Sequence, residues 1–162
     1  MVVCANIKQM SQLNDCLVCN RINLIKIDKN PYFIKELKSG YVVLCDYQYF
    51  YGYTIFLSKI HTDELFKLNQ NEKSLFLQEM SLVAEAVYKA FNPQKMNYEL
   101  LGNSDSHLHW HLIPRYKTDP KPENPIWAIN PKIRNNPKYK LKMKELEKIK
   151  WKLLFELDKL TS

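Results

Sequence analysis

His107-Leu108-His109-Trp110-His111-Leu112-Ile113 is the stretch that decides how this chain is read. The chain has only 4 histidines, and three of them alternate here with large apolar residues. In a β-strand successive side chains point to opposite faces. The three imidazoles then share one face, standing about 6.5–7 Å apart, while Leu108, Trp110 and Leu112 share the other. The apolar side can bury against a helix. A row of ionisable rings is poor core material, so the imidazole side is expected to carry chemistry.

Two chemistries fit such a strand. An imidazole with a pKa of about 6.5 is largely neutral at cell pH, and its unprotonated nitrogen attacks phosphorus without a separate base. The N–P bond that forms is labile, so water can complete a two-step reaction. Alternatively, histidines hold a catalytic zinc that keeps an open position. The first and last rings of one strand are about 13 Å apart, too far to share an ion. A metal centre would therefore combine two of them with a ligand from elsewhere.

Around this strand the pattern predicts an α+β protein with a mainly antiparallel five-stranded sheet. Aromatic and β-branched residues with a Ser39-Gly40 break and a Gly at 52 predict strands near 32–38, 41–46 and 52–58. Two more fit 95–101 and 107–113. A helical turn is expected around Asp15–Ile22. Thr62 and Asp63 are expected to cap a short helix holding Leu65, Phe66 and Leu68. Phe76, Met80, Val83, Val87 and Phe91 recur at helical spacing and predict a long helix over 71–91, ended by Asn92-Pro93. Residues 118–137 contain five prolines and predict an extended loop. Leu141, Leu146, Ile149, Leu153, Leu157 and Leu160 predict an amphipathic C-terminal helix over 138–161. One domain is expected, with a core over about 14–117.

The His-φ-His-φ-His-φ-φ pattern, with φ apolar, resembles the signature of the histidine triad (HIT) superfamily, and every position matches. Leu101-Gly102-Asn103-Ser104-Asp105-Ser106 before it and Ile113-Pro114-Arg115-Tyr116 after it resemble the bacterial-type, diadenosine polyphosphate hydrolase-like branch. Gly52-Tyr53-Thr54-Ile55-Phe56-Leu57-Ser58-Lys59-Ile60-His61 resembles the family's strand that leads to an outlying histidine. Cys16-Leu17-Val18-Cys19 resembles its N-terminal Cys-x-x-Cys. The resemblance runs in order over residues 14–117. It implies a HIT-like fold and a nucleotide hydrolase or nucleotidyl transferase acting at the α-phosphate of an adenine nucleotide, such as a diadenosine polyphosphate or an adenosine phosphoramidate. It places His109 as the nucleophile that forms a nucleotidyl-histidine, and His111 as a phosphate-binding histidine. Asn103 takes the place of a phosphate-contacting glutamine, one methylene shorter, and Ser104 that of a phosphate-contacting serine. Asp46 matches a ribose-binding acid and Asn97 a polar residue lining the phosphate site. It also implies a two-fold homodimer with joined sheets.

The chain has 4 cysteines: Cys4, Cys16, Cys19 and Cys45. The start of the chain shows no basic segment followed by an apolar one, so a signal peptide is not expected and a cytoplasmic, reducing setting is. There Cys16 and Cys19 supply half of a tetrahedral zinc site. Two nitrogens would complete it, and the resemblance points to His61 and His107. Four protein ligands leave no open position, so the zinc is expected to be structural. No organic cofactor is expected. Cys4 and Cys45 are expected to pack as small buried residues.

The net charge of +7 is concentrated near the C-terminus, where residues 132–162 hold 10 Lys or Arg against 4 Asp or Glu. That is expected to be the solvated face of the last helix, with Trp151 turned inward, and nucleic acid is an unlikely partner. The longest apolar runs are five residues, far short of the roughly 20 that span a membrane, so no membrane partner is expected. Tyr47, Tyr49, Phe50, Tyr51 and Tyr53 fit either base stacking or core packing. Phe33 or Ile34 are expected to wall the pocket. Lys59 and Arg115 fit either phosphate contact or solvent exposure. Trp127 is expected to plug the proline-rich loop onto the body. Three rival readings fit the same sequence: a metal-dependent phosphoesterase, a nucleotide-binding sensor without turnover, and a nucleic-acid binder using the C-terminal lysines.

Overall fold

The computed structural model describes residues 16–161. Cys4, and Asp15 of the first helical turn, lie outside them. The elements are α1 (Leu17–Lys26), β1 (Phe33–Glu36), β2 (Gly40–Leu44), β3 (Thr54–Ser58), α2 (Gln70–Phe91), β4 (Lys95–Glu99), β5 (His109–Arg115), α3 (Pro131–Arg134) and α4 (Met143–Thr161). The five strands form one antiparallel sheet in the order β1-β2-β3-β5-β4. The fold is the α+β architecture that the sequence predicts.

One sheet face is fully covered. Val42, Leu44, Phe56 and Leu112 pack against Phe76, Val83 and Val87 of α2 and against Leu146, Ile149, Leu153 and Leu157 of α4. Helix α2 opens on a reciprocal cap in which Asn69 accepts from the Glu72 N–H and Glu72 accepts from the Asn69 N–H. It closes at Asn92, whose φ of 49° is left-handed.

The opposite face is covered only at its two ends. At one end α1 seats Val18, Ile22 and Ile25 on Tyr41, Val43 and Leu57. At the other, Ile126 and Ile129 pack on Phe50, Tyr53 and Ile113. The gap between these two small clusters exposes the middle of β3 and β5. That gap is where the histidine strand opens.

Several expectations are corrected. Strand β5 begins at His109, not 107, and continues through Pro114 to Arg115. Pairing with β3 stops at Thr54↔Leu112, so β5 beyond it has a strand neighbour on one side only, and proline is tolerated there. The turn at Leu65–Lys67 is a 3₁₀ helix that takes no side-chain cap from Thr62 or Asp63; Asp63 pairs with Lys67 at 2.6 Å instead. The C-terminal helix starts at Met143 rather than 138. Tyr139 is drawn into the 45–53 loop, where its carbonyl accepts the Gln48 N–H at 2.9 Å and its ring meets Tyr49 at 4.7 Å. Trp151 points outward, 66% exposed, and stacks on Phe155. Among the described residues no helix is long and apolar enough to cross a membrane.

The 45–53 loop matters because it delivers Tyr53 to the open face. Buried Gln48 holds it, donating to the carbonyls of Cys45 and Tyr53 and accepting the Gly52 N–H at 2.9 Å. Gly52 has φ +85°, and a Cβ there would sit 2.4 Å from the Phe91 ring. Gly52→Ala therefore meets both a backbone and a steric penalty, expected at about 2–3 kcal/mol. The melting temperature should fall by roughly 4–10 °C in a thermal denaturation scan.

Candidate active site and metal cluster

His109 and His111 project from β5 into the gap on the open face, facing Leu57 and Ile55 of β3. Their rings lie 4.7 Å apart at 75°. The His109 Nδ1 is 2.6 Å from the backbone carbonyl of His107. A carbonyl only accepts, so Nδ1 carries the proton and Nε2 of the neutral ring presents a lone pair. His111 is held differently. Its Nδ1 lies 2.6 Å from the Tyr53 hydroxyl. Burial pushes the Tyr53 phenol well above its ordinary pKa, so its O–H is retained. With that hydroxyl assigned as donor, the His111 proton sits on Nε2. The two neighbouring rings thus take opposite tautomers, one offering a lone pair and the other an N–H. Burial, and then the nearby His109 and Arg134, lower the His111 pKa to about 4, so at neutral pH it is an uncharged donor.

The gap is a cleft of about 220 Å³. Its floor is the β3–β5 face and one wall is α1 with Arg21 paired to Asp46 at 2.7 Å. Tyr47 and Tyr49 line it, while Phe50 and Tyr53 are buried beneath. Trp127 and Arg134 from the proline-rich segment close the far side. The Trp127 ring stands 5.6 Å from His111, its indole N–H donates to Glu99, and the Arg134 guanidinium lies 4.4 Å over it.

His107 does not share this cleft. Backbone groups of Leu108 bond to the turn before α2, donating to Thr62 and accepting from Ser58. His107 reaches the start of α1 on the open side of the sheet instead of lining the cleft. Its Nε2 lies 2.9 Å from the Ser58 carbonyl, so Nε2 carries the proton and Nδ1 is free. That Nδ1 stands 3.5 Å from Cys16 Sγ and 3.4 Å from Cys19 Sγ, and His61 Nδ1 stands 3.2 Å from Cys19 Sγ. All four ligand atoms lie within 4.8 Å of one another. Tetrahedral zinc, with bonds of about 2.3 Å to sulfur and 2.0–2.1 Å to nitrogen, puts S and N about 3.6 Å apart. The cluster is close to that size and has a hydrogen-bonded outer partner in Ser58. It could hold a metal ion. Cys16 also caps α1, its sulfur accepting the Cys19 N–H at 3.3 Å, which turns both thiols toward the histidines. Burial and then Cys16 raise the Cys19 thiol to about 12, and a bound cation supplies the charge that reverses this.

The remaining candidates are placed as follows. Asp46 lines the cleft, paired with Arg21. Asn103 and Ser104 sit in the bend before His107. Ser104 borders a depression beside Cys16 and His61, and from this bend Asp105 lines the cleft. Asn97 accepts from Arg115 at 3.0 Å and lines a separate groove with it, away from the His109–His111 cleft. Arg115 is a buried staple, 3% exposed, bonding Asp119 and the carbonyls of Asn124 and Lys121 under the proline-rich segment. Lys59 pairs with Glu36. Neither basic group faces the cleft. Ile34 is in the helix-covered core and Phe33 packs beside α1, so neither walls the cleft. The plug of the proline-rich segment is Ile126, 0% exposed, rather than Trp127. Cys45 is half-buried on the cleft wall. Sequence reasoning missed Gln48, Arg134 and the Tyr53–His111 bond. An unusually polar residue amid aromatics at 47–53 was the available signal for Gln48.

Residues 47–118 match the family model of the HIT domain. No curated protein matches the chain. Among solved structures, a histidine triad protein from Marinobacter aquaeolei VT8 is 26% identical, with a TM-score of 0.65 over 79% of this chain and 89% of that one. A Zn-bound histidine triad family protein from Mycobacterium smegmatis is 18% identical, with a TM-score of 0.61 over 92% and 97%. The Plasmodium falciparum diadenosine triphosphate hydrolase, in complex with Cyclomarin A, is 12% identical, with a TM-score of 0.60 over 82% and 80%. Together with the histidine motif, these likenesses support the HIT superfamily for this chain.

Proposed function

We propose that this protein is a nucleotide hydrolase or nucleotidyl transferase of the diadenosine polyphosphate hydrolase-like branch, acting at the α-phosphate of an adenine nucleotide. The observation that carries the reading is the way the two cleft imidazoles are held, His109 Nδ1 on the His107 carbonyl and His111 Nδ1 on the Tyr53 hydroxyl, which with Tyr53 as donor gives them opposite tautomers. Nε2 of His109 attacks the α-phosphorus, and the bond to the leaving group breaks with its electron pair on that group. The Nε2–H of His111 stabilises charge on the phosphoryl oxygens in the transition state. Water then attacks phosphorus, the N–P bond breaks, and the nucleoside monophosphate leaves with its second product, a proton. Asn103 and Ser104 join the phosphate contacts when the bend before His107 closes on substrate, and Asp46 takes the ribose.

Zinc at Cys16, Cys19, His61 and His107 is structural in this reading. It would hold α1 and the start of β5 together, and those four residues stand apart from the phosphate chemistry. His107 belongs to the four-residue cluster and does not line the cleft, which disfavours the metal-dependent phosphoesterase. A reducing, cytoplasmic setting suits the cysteine pair. The chain works as one domain, with the proline-rich segment and α4 built onto the core, and pairs as a two-fold homodimer along the exposed edge of β4, where Tyr98 is half-exposed.

The test is release of AMP from diadenosine tetraphosphate and from adenosine phosphoramidate. Turnover of at least one, little changed by brief chelation while the fold persists, is the expected result. Binding of AMP without turnover of either would make the protein a sensor, and no binding at all would overturn the reading.

A further inference from the structure

The cleft carries two guanidinium groups, and their situations differ. Arg21 is paired with Asp46. Arg134 pairs with no carboxylate among the described residues, and its Nε is buried without a hydrogen-bond partner. Its carrier, α3, is a single turn set between Ile129, which is buried, and the Tyr139 anchor. The guanidinium rests on Trp127, whose indole is itself pinned to Glu99 and set against His111. A cation in this position is both aimed and unspent. The cleft's other carboxylate, Asp105, stands at the opposite end, on the border with the Cys16–His61 depression. The cleft is therefore acidic toward the metal cluster and basic beyond His111.

We infer that Arg134 binds the phosphate next to the one attacked, and so selects phosphoanhydrides, nucleoside polyphosphates above all, over phosphoramidates. This rests on the reading that His109 attacks an α-phosphate in this cleft. When His109 Nε2 bonds to the α-phosphorus of a polyphosphate, the bridging P–O bond breaks and its electron pair stays on the departing phosphate. Negative charge grows there, and a guanidinium beside it stabilises that growth with two N–H donors in a planar fork. A phosphoramidate departs instead as an amine, which gains a proton and has no use for a cation. The unpartnered Nε accounts for why the side chain is left without a carboxylate: a fixed internal partner would cancel the charge the leaving phosphate needs.

The test compares wild type with Arg134→Ala and Arg134→Lys on both substrates. A charge-assisted hydrogen bond is worth roughly a ten- to hundredfold effect. Arg134→Ala is expected to lower kcat/KM for diadenosine tetraphosphate about tenfold or more beyond any change for adenosine phosphoramidate, and Arg134→Lys to restore part of it. Calorimetry gives a readout without turnover: ADP should bind wild type several-fold tighter than AMP, and Arg134→Ala should erase that advantage while AMP still binds. An equal fall on both substrates, or an ADP advantage that survives Arg134→Ala, overturns the inference and leaves Arg134 as a support for Trp127. These outcomes are separate from the fate of the nucleophile: turnover that survives His109→Ala would sink the histidine mechanism whatever the ratio between substrates.

Discussion

His109→Ala should lose AMP release by roughly a thousandfold or more on every substrate the wild type accepts, because it removes the atom that forms the intermediate rather than one that assists it. The argument rests on position. His109 is 8% exposed, its Nδ1–H is tied to the His107 carbonyl, and only its Nε2 looks into the cleft. The other imidazole in the cleft, His111, has its Nδ1 engaged by the Tyr53 hydroxyl, and with that hydroxyl as donor its Nε2 carries the proton and offers no lone pair. The side chain lies at the edge of the cleft rather than in the helix-covered core, so the variant should keep its melting temperature within a few degrees. The chemical signature is more specific than the rate. Wild type quenched during turnover of nucleotide labelled at the α-phosphate should carry label that is lost in acid and kept in base, as a phosphorus–nitrogen bond requires. His109→Ala should carry none. If the variant keeps more than about a tenth of the activity, or still takes up label, another group is the nucleophile and the opposite tautomers serve binding alone.

The period-2 alternation of the histidine stretch was enough to place β5 in the sheet and to put its apolar residues toward the helices, since Leu112 is fully buried there. It also predicts a shared face for three imidazoles: Leu108, Trp110 and Leu112 pack with the helix-covered core, while His107 meets α1 and His109 and His111 line the cleft on the open side. What alternation does not show is that His107 belongs to the Cys16–Cys19–His61 cluster rather than to the cleft, or where the strand begins. The strand begins where the backbone of Leu108 stops bonding to the turn at Ser58–Thr62, and nothing in the side-chain sequence marks that point. The proline-rich segment was opaque for a related reason. Five prolines announce an absence of regular pairing but not which residues dock, so whether Ile126 or Trp127 is the plug depended on the shape left open by Phe50, Tyr53 and Ile113. Arg115 could be read as a phosphate ligand until the fold showed its guanidinium already consumed by Asp119, Asn97 and two carbonyls. Long-range partners of this kind decide whether a basic residue is free, and a single sequence does not contain them. The same ignorance hid Arg134, whose significance is that it has no carboxylate partner among the described residues.

Removing the metal ligands should cost more stability than any other small change in the described residues. The cluster joins three separated segments: the start of α1, the turn at His61 and the bend at His107, with Cys16 and His107 91 residues apart in the chain. Outside the cluster α1 is held by a small patch of apolar contacts, Val18, Ile22 and Ile25 on the sheet. A cross-link closing a loop of that length is worth about 4–5 kcal/mol in chain entropy alone, and a metal held a thousandfold above its dissociation constant contributes about 4 kcal/mol by mass action. In a chain of this size that corresponds to a fall of roughly 10 °C in melting temperature. Protein purified from zinc-supplemented cells should hold one equivalent of zinc by elemental analysis, and Cys16→Ser together with Cys19→Ser should hold none. Chelation should lower the melting temperature of wild type to that of the double variant and leave the variant itself unmoved. Activity should fall less than stability does. The cluster reaches the nucleophile by one route, the His107 carbonyl that orients His109, so its loss should loosen the ring rather than remove it, and residual turnover should still be abolished by His109→Ala. Chelation that stops turnover while the melting temperature stays fixed would instead put the metal in the chemistry and reverse the assignment of the two clusters.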